Sequence, residues 1–437
     1  MGLFFNRYSS WVGRCVVVAV SMALFQQADA GPGDHIQTGN TTITPGLDLG
    51  MEFRSNVLQS PTDPSGGPNM LVQPGLGILT DSPDTRFDFN GVYTLRKYFS
   101  RNLSQRADRF SDFDVGTRLE LLRKSVIGFH IQDRAAIRND NTLRALQTRI
   151  HNGFDAQLAI RPGAVLQFSL GGRWNYDQFI VPSSEDIDGS STLGRRNAFG
   201  PTLDGEWRFF PRTAVILQTS YLMHNWSDSW VSAQDSSGQI GQFLALPNSQ
   251  HFKAVAGLRG RLTSRFVLSA TIGYGFAKYD PASVTKDASG REPADATELD
   301  AVSSGFDANA KNLDGLLGEV QLKYELADEN FVTLGYQKDF EDVFFSNFVA
   351  LNRVYLRYQG RYGKTFGLDG YATVSFDEYK GETTRSDIYS QAQLDFLINA
   401  TDWMSFSIGT WWHHRSSSER LVEYDDFNGH IFASFEY

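Results

Sequence analysis

Apolar and polar side chains alternate with a period of two along most of the chain after residue 40, a pattern typical of β-strands with one apolar and one polar face. In 165–177 the even positions from Leu166 to Tyr176 are apolar, aromatic or Gly, and the odd positions are mainly polar. The ranges 149–161 and 264–278 alternate in the same way. Runs of about 10 to 16 residues exceed ordinary strands and match strands that cross a bilayer at a tilt.

Short and long connections alternate between these runs. A wall with one apolar face and one face carrying charges of both signs suits either a membrane barrel or a soluble sandwich that buries its apolar face. Alternation of short turns with longer, more polar loops favours the barrel. The short turns are predicted at 81–83, 123–125, 161–163, 211–212, 263–264, 327–329, 362–364 and 399–401, and longer reversals at 55–68, 100–111, 180–193, 226–244 and 279–312.

These segments predict an all-β fold, a transmembrane antiparallel up-and-down β-barrel of the outer-membrane type. Counting eight short turns and nine longer loops yields about 18 strands, to within two, with both chain ends on the periplasmic side. The length of 437 residues would suggest about three soluble domains, but we expect it to form one closed sheet.

The first 30 residues predict a secretory signal peptide. Arg7 and Arg14 precede an apolar core at 15–25, and Ala28-Asp29-Ala30 forms a small-x-small cleavage site. We therefore expect residues 1–30 to be removed and 31–437 to form a single barrel domain, with 31–40 as a short periplasmic segment. The single Cys, Cys15, would leave with the signal.

Composition excludes several classes of protein. The formal charge of −10 and a pI near 5.3 argue against bulk binding to nucleic acid. One Cys excludes a disulfide scaffold. The mean hydropathy of −0.32 is too low for a helical membrane protein, but it fits strands whose inward half is polar.

The last strand resembles a recognition signal for barrel-insertion machinery. One face of this strand ends on an aromatic residue and comprises Phe427, Gly429, Ile431, Ala433, Phe435 and Tyr437. The predicted C-terminal insertion signal is Ile431, Ala433, Phe435 and Tyr437. Aromatic clusters near strand ends predict girdles at the two membrane interfaces, and they comprise Trp207, Phe209, Phe210, Tyr221, Trp226, Trp403, Trp411 and Trp412.

Charged side chains on the polar face are the candidate functional residues. Arg353, Arg357 and Arg361 form an arginine ladder, with acidic residues on neighbouring strands. The ladder either creates an eyelet whose field orients solutes or forms cross-strand salt bridges that stiffen the wall; the second reading is favoured. The full lumen-facing set is Arg353, Arg357, Arg361, Asp339, Asp369, Glu319, Lys323, Glu325, Asp204, Glu206, Arg208, Arg149, Asp155 and Arg173.

Catalytic and metal chemistry find little support in the sequence. His413 and His414 are adjacent, so on a strand they point to opposite faces and cannot easily hold one metal. His151 with Asp155 and Arg149 is interpreted as part of a polar wall. No cofactor is expected and the protein is predicted not to be an enzyme. A receptor with a plug domain and about 22 strands does not fit the length.

Several segments resemble the β-barrel porin 2 family and related myxobacterial outer-membrane β-barrel proteins. They are 33–57, 84–99, 195–214 and the terminal strand, and they contain no short catalytic motif. The resemblance implies a porin-like channel that passes small hydrophilic solutes or serves as an export conduit. The alternative that it implies is a structural component of a gliding-motility or polysaccharide-secretion assembly.

The predicted location is the outer membrane of a Gram-negative bacterium. The expected partners are outer-membrane lipid, the barrel-insertion machinery and other envelope proteins, with no nucleic acid. The oligomeric state stays open. The long acidic loop at 279–312 is expected to face solvent, with an inward fold that narrows the channel as the other option.

Overall fold

The alternating segments form long antiparallel strands. A computed structural model describes residues 35–57, 59–62, 64–100, 111–140, 147–180, 192–227, 230–234, 240–244, 248–280, 284–287, 312–343, 346–380 and 385–437. The strands within these ranges are β1 Ile36–Thr38, β2 Thr41–Arg54, β3 Gly67–Asp81, β4 Thr85–Tyr98, β5 Ser111–Leu121, β6 Ile127–Asp140, β7 Gln147–Ile160, β8 Leu166–Ile180, β9 Thr192–Phe210, β10 Thr213–Ser227, β11 Trp230–Gln234, β12 Ile240–Leu244, β13 Ser249–Arg261, β14 Phe266–Tyr279, β15 Val284–Asp287, β16 Leu313–Ala327, β17 Asn330–Val343, β18 Ser346–Tyr362, β19 Phe366–Lys380, β20 Arg385–Asn399, β21 Met404–Ser417 and β22 Tyr424–Glu436. A short 3₁₀ helix lies at Arg420–Val422.

Eighteen of these strands close into one barrel. Each of β2–β10, β13, β14 and β16–β22 pairs antiparallel with the next of the set. The last strand then pairs with the first, from Gly46 opposite Glu436 to Arg54 opposite Asn428. The predicted antiparallel barrel of about 18 strands is confirmed.

Four short strands lie outside this circuit. β1 folds back on the start of β2, with Ile36 opposite Ile43. β11, β12 and β15 form a separate antiparallel sheet, built from the β10–β13 and β14–β16 connections. The predicted signal peptide, 1–30, lies outside the described residues, as does most of the loop at 279–312.

The two ends of the barrel differ in their connections. One end, here called the turn end, carries eight turns of two to five residues, all where the sequence predicts them. In one of them Gly363 adopts a φ of 65°, a left-handed conformation that costs Gly little. The other, the loop end, carries connections of 2 to 33 residues. Two of the nine predicted longer loops are in fact short, at 344–345 and 381–384.

The outer surface of the barrel is apolar. Ile272, in the middle of β14, and Leu316, on the adjacent strand β16, are 67% and 60% exposed. Side chains at the alternate positions, on the other face of the sheet, contact residues two strands away. For example, the Tyr355 hydroxyl on β18 donates to Glu319 on β16 at 2.8 Å. Such contacts form on the concave side of a curved sheet, so the polar set faces the lumen.

Aromatic residues bound this apolar belt. Near the loop end, outward tyrosine hydroxyls donate to polar neighbours, including Tyr274 to Asp314 at 2.9 Å and Tyr336 to Asn352 at 3.1 Å. Near the turn end, outward rings pack in pairs, such as those of Phe266 and Tyr324, whose ring centroids are 4.6 Å apart. From Phe266 to Tyr274 the strand rises about 27 Å, or about 20 Å along the barrel axis at a tilt of about 40°.

Two aromatic residues assigned to the girdles from sequence face the lumen instead. Trp226 is buried against Phe179, with ring centroids 6.2 Å apart. Trp411 lies under the Arg54 guanidinium at 5.0 Å. Clustering in sequence does not distinguish the two faces of a strand, because neighbouring residues alternate between them. No helix in the described part of the chain is long and apolar enough to cross a membrane.

The two faces predict opposite responses to a new charge. Ile272→Arg places a guanidinium in the apolar belt and is expected to cost about 2–4 kcal/mol of unfolding free energy in lipid. The neighbouring Thr271→Arg points inward, opposite Glu319, and is expected to cost far less. Urea unfolding of both variants refolded in vesicles measures this difference, and equal losses would contradict the assignment of faces.

Candidate functional site in the barrel lumen

Ion pairs cover the lumen wall formed by β5–β9. Asp114 accepts hydrogen bonds from Arg134 at 2.8 Å and from Arg138, all on inward faces. The two arginine side chains are 54% and 56% exposed. Since they face inward, this exposure means that they border open space within the barrel.

Asp177 is the centre of a buried charge cluster near the loop end. Its carboxylate is inaccessible to solvent and accepts from Arg149 at 2.7 Å, from His151 at 2.8 Å and from Arg196. His151 therefore bonds Asp177 and not Asp155, the residue that shares its strand face. Asp155 pairs with Arg173 at 3.3 Å. The register that brings Asp177 opposite His151 could not be read from either strand alone.

A second cluster lies closer to the turn end. Glu206 accepts from Arg208 at 2.6 Å and from Arg259, two strands away, at 2.8 Å. Asp204 faces inward on the same strand, in register with Ser169 and Gln218. These contacts agree with the wall-stiffening interpretation for this part of the lumen.

The arginine ladder divides into paired and unpaired members. Arg361 forms a bidentate salt bridge with Asp369 at 2.8 and 2.9 Å. Arg357 instead lies 5.8 Å from the ring of Tyr371. Within the described residues, neither Arg353 nor Arg357 has a carboxylate within the 4 Å of a salt bridge.

The acidic strand β16 is tied to its neighbours in three ways. Glu325 accepts two hydrogen bonds from Arg261 at 2.9 and 3.1 Å, across β14. Lys323 lies 3.8 Å from the ring centroid of Phe331. Glu319 accepts from Tyr355, whose ring lies directly over Gly335 on the strand between them. A side chain at 335 would block this contact.

The end of the β17–β18 hairpin bends into the lumen. β16 and β17 pair only as far as Gly318 opposite Lys338, although β17 continues to Val343. The hairpin beyond this point stays paired with itself and with β19. The hairpin therefore separates from β16 at the loop end but remains joined to β19.

Aromatic contacts and a lysine hold the bent hairpin against the inner faces of β13 and β14. Phe340 and Phe348 are buried, and their rings lie 5.6 Å from His251 and 6.0 Å from Tyr279. Lys253 on β13 donates to the Asp339 carboxylate at 2.7 Å and to the Phe340 carbonyl at 2.8 Å. Asp339, predicted from sequence as an acidic neighbour of the arginine ladder, is thus bound to Lys253. We call this hairpin end, residues 339–351, the inner hairpin.

Sequence reasoning missed the inner hairpin and placed a possible constriction at 279–312. A signal was present, because the stretch from Val343 to Leu351 is mostly apolar and lacks Gly or Pro. The backbone of β14 also makes room for it. A Cβ at Gly275 would lie 2.6 Å from a ring carbon of Phe340.

The adjacent histidines lie on opposite faces of β21. His414 bonds Asp425 at 2.7 Å on the outer face. His413 faces inward between Trp411 and Tyr389, with ring centroids 4.3 and 5.6 Å away. In the described ranges, no three His, Cys, Asp or Glu side chains come together as a metal site.

Comparison with known proteins supplies no family. No family model matches the chain, and no curated protein matches it. Solved structures that resemble it include the copper transporter OprC, with 10% identity, a TM-score of 0.48, and coverage of 88% of this chain and 64% of that one. The FrpB iron transporter from Neisseria meningitidis (F3-3 variant) has 7% identity, a TM-score of 0.47 and coverage of 90% and 81%. The ferric yersiniabactin uptake receptor FyuA from Yersinia pestis has 11% identity, a TM-score of 0.45 and coverage of 87% and 62%.

These similarities are too weak to bear on substrate or partner. This chain spans less than two thirds of the length of OprC and of FyuA. The resemblance to the β-barrel porin 2 family stays a prediction.

Removing the buried carboxylate is expected to weaken the barrel. Asp177→Asn leaves Arg149 and Arg196 without their shared anion, and such losses cost about 3 kcal/mol or more. Asp155→Asn, which breaks a single partly exposed pair, is expected to cost less than about 1 kcal/mol. The temperature at which the folded band disappears in heat-modifiable gel migration compares the two. Equal midpoints would contradict a structural role for the Asp177 cluster.

Releasing the inner hairpin is expected to widen the lumen. Lys253→Met removes a partly exposed ion pair worth about 1 kcal/mol, which shifts the docking equilibrium about fivefold. Larger or noisier conductance steps in a planar bilayer are the expected result. Arg261→Met is the matched control, because it breaks a cross-strand pair on the same strand without touching the hairpin. Identical traces for the two variants would contradict the constriction.

Proposed function

We propose that the protein is a non-enzymatic, integral outer-membrane β-barrel that provides an aqueous passage for small hydrophilic solutes. The observation that carries the proposal is the contrast between its two faces. Outward side chains such as Ile272 are apolar and exposed, whereas inward side chains such as Arg134 are charged and about half exposed. That contrast matches lipid on one side and water on the other.

The dimensions support a passage of limited width. A barrel of about 16 to 18 strands leaves an aqueous channel where its contents do not fill it. Arg208, close to the turn end, is 60% exposed, which favours open space there. At the loop end the inner hairpin occupies part of the cross-section. Passage therefore favours solutes of small diameter, in either direction.

A partner-binding role in an envelope assembly is the second candidate. It is favoured by the three-stranded sheet of β11, β12 and β15, which gives two long connections a shared backbone structure at the loop end. Ordered connections of this kind suit a docking surface. A barrel that inserts into bilayers and stays silent would support this candidate over the channel.

Conductance measurements on the refolded barrel test the channel. Steady openings are expected, and Arg357→Ala is expected to shift ion selectivity towards cations, because it removes an unpaired positive charge from the wall. Lys338→Ala is the control, since it removes the same charge from an exposed outward position. The absence of conductance for every ion would refute the channel, and equal shifts in the two variants would refute the role of Arg357.

A further inference from the structure

The lumen wall formed by β16–β21 differs in chemistry from the wall formed by β5–β9. Inward aromatic side chains lie on four successive strands of the first wall, and they are half-buried, so part of each ring borders the lumen. They are Tyr355, Tyr371, Tyr389 and Trp411. The wall formed by β5–β9 instead carries ion pairs on its inward face, among them Arg134 with Asp114, Arg173 with Asp155 and Arg208 with Glu206.

Lys323 and Arg357 of the β16–β21 wall, like Arg353, have no carboxylate partner among the described residues. Lys323 and Arg357 lie on either side of Thr333 in one register row, which places their strands about 10 Å apart. Among the described residues their charged groups contact rings, Phe331 and Tyr371, and no carboxylate forms a salt bridge with them. The positive charges of Lys323 and Arg357 are therefore available to a solute, whereas that of Arg361 is paired with Asp369.

Uncommitted amide groups surround these cations. Four inward glutamines of this wall form no side-chain hydrogen bond with any described residue, and they are not sealed from solvent. They are Gln321, Gln337, Gln359 and Gln391. Each amide offers two donors and an acceptor. Glu319, held by Tyr355, adds a carboxylate that can accept from hydroxyl groups.

We propose that this wall binds sugar acids, that is, polyhydroxylated carboxylates, during their passage. The inference rests on the proposed channel and names its solute class. Arg357 and Lys323 bind the carboxylate through charge-assisted hydrogen bonds. The glutamine amides and Glu319 bond the hydroxyl groups, and the Tyr371 ring packs against the apolar face of the sugar. A plain inorganic anion would leave the amides and rings unused.

Equilibrium binding to the detergent-solubilised barrel tests the proposal without requiring conduction. Titration with glucuronate, followed by calorimetry, is expected to saturate, whereas glucose and benzoate bind at least about tenfold more weakly, since each lacks one of the two interactions. If benzoate binds as tightly as glucuronate, the hydroxyl groups contribute nothing to binding. If glucose binds as tightly as glucuronate, the carboxylate contributes nothing. Either result, or no saturable glucuronate binding, overturns the proposal.

Variants locate the site on one wall. Arg357→Gln is expected to weaken glucuronate binding about tenfold, and Arg357→Lys to retain part of it. Arg173→Gln removes a lumen charge from the opposite wall and is expected to leave binding unchanged; an equal loss there would overturn the site. Folding of each variant is checked by heat-modifiable migration. If the barrel conducts ions but binds no glucuronate, only the sugar-acid site is refuted. If it binds glucuronate but never conducts, only the channel is refuted.

Discussion

The hydrogen-bonded seam between the first and last strands of the barrel is the contact on which the rest of the structure depends. Backbone N–H and C=O groups in hydrocarbon have no water to bond, so a membrane sheet must leave no free edge. Here β22 meets β2 over nine registered positions. Arg54 and Asp426, 372 residues apart, form a salt bridge at its loop end. Once the sheet is closed, every strand has a lipid face and a lumen face, and the apolar belt and the charged interior both follow.

The sequence was sufficient to predict the strands of the barrel wall, but not the contacts between side chains in the lumen. Alternation such as that from Leu166 to Tyr176 determines strands and faces locally, and turns such as Pro211-Arg212 follow from breakers between them. The partner of His151 depends on the register between β7 and β8, which no single strand encodes. Trp411 and Trp412 are adjacent, so they lie on opposite faces of the strand, and the sequence alone did not show which of them faces the lumen. The selection of the lumen residues as functional stays a prediction.

The lumen combines two kinds of polar surface with different consequences. Around Asp177 and Glu206, each carboxylate binds two arginines, so these charges are held in place by the protein, although each cluster keeps a net positive charge. Arg357, by contrast, forms no salt bridge with any described residue, so its charge remains unpaired on the lumen surface. Small residues make this asymmetry possible, since Gly335 lets Tyr355 cross its strand to reach Glu319. Salt-bridged and unpaired cations thus lie on different arcs of the wall, and the role of Arg357 as an eyelet residue stays a prediction.

The inner hairpin has a further consequence for cooperativity. Its anchor joins Lys253 and Asp339, 86 residues apart, by side-chain contacts to strands whose own pairing is already complete. Undocking therefore breaks no ladder hydrogen bond between those strands. Opening of the hairpin end is therefore expected to cost less free energy than global unfolding. Undocking would change the width of the barrel's mouth and leave its wall of paired strands intact.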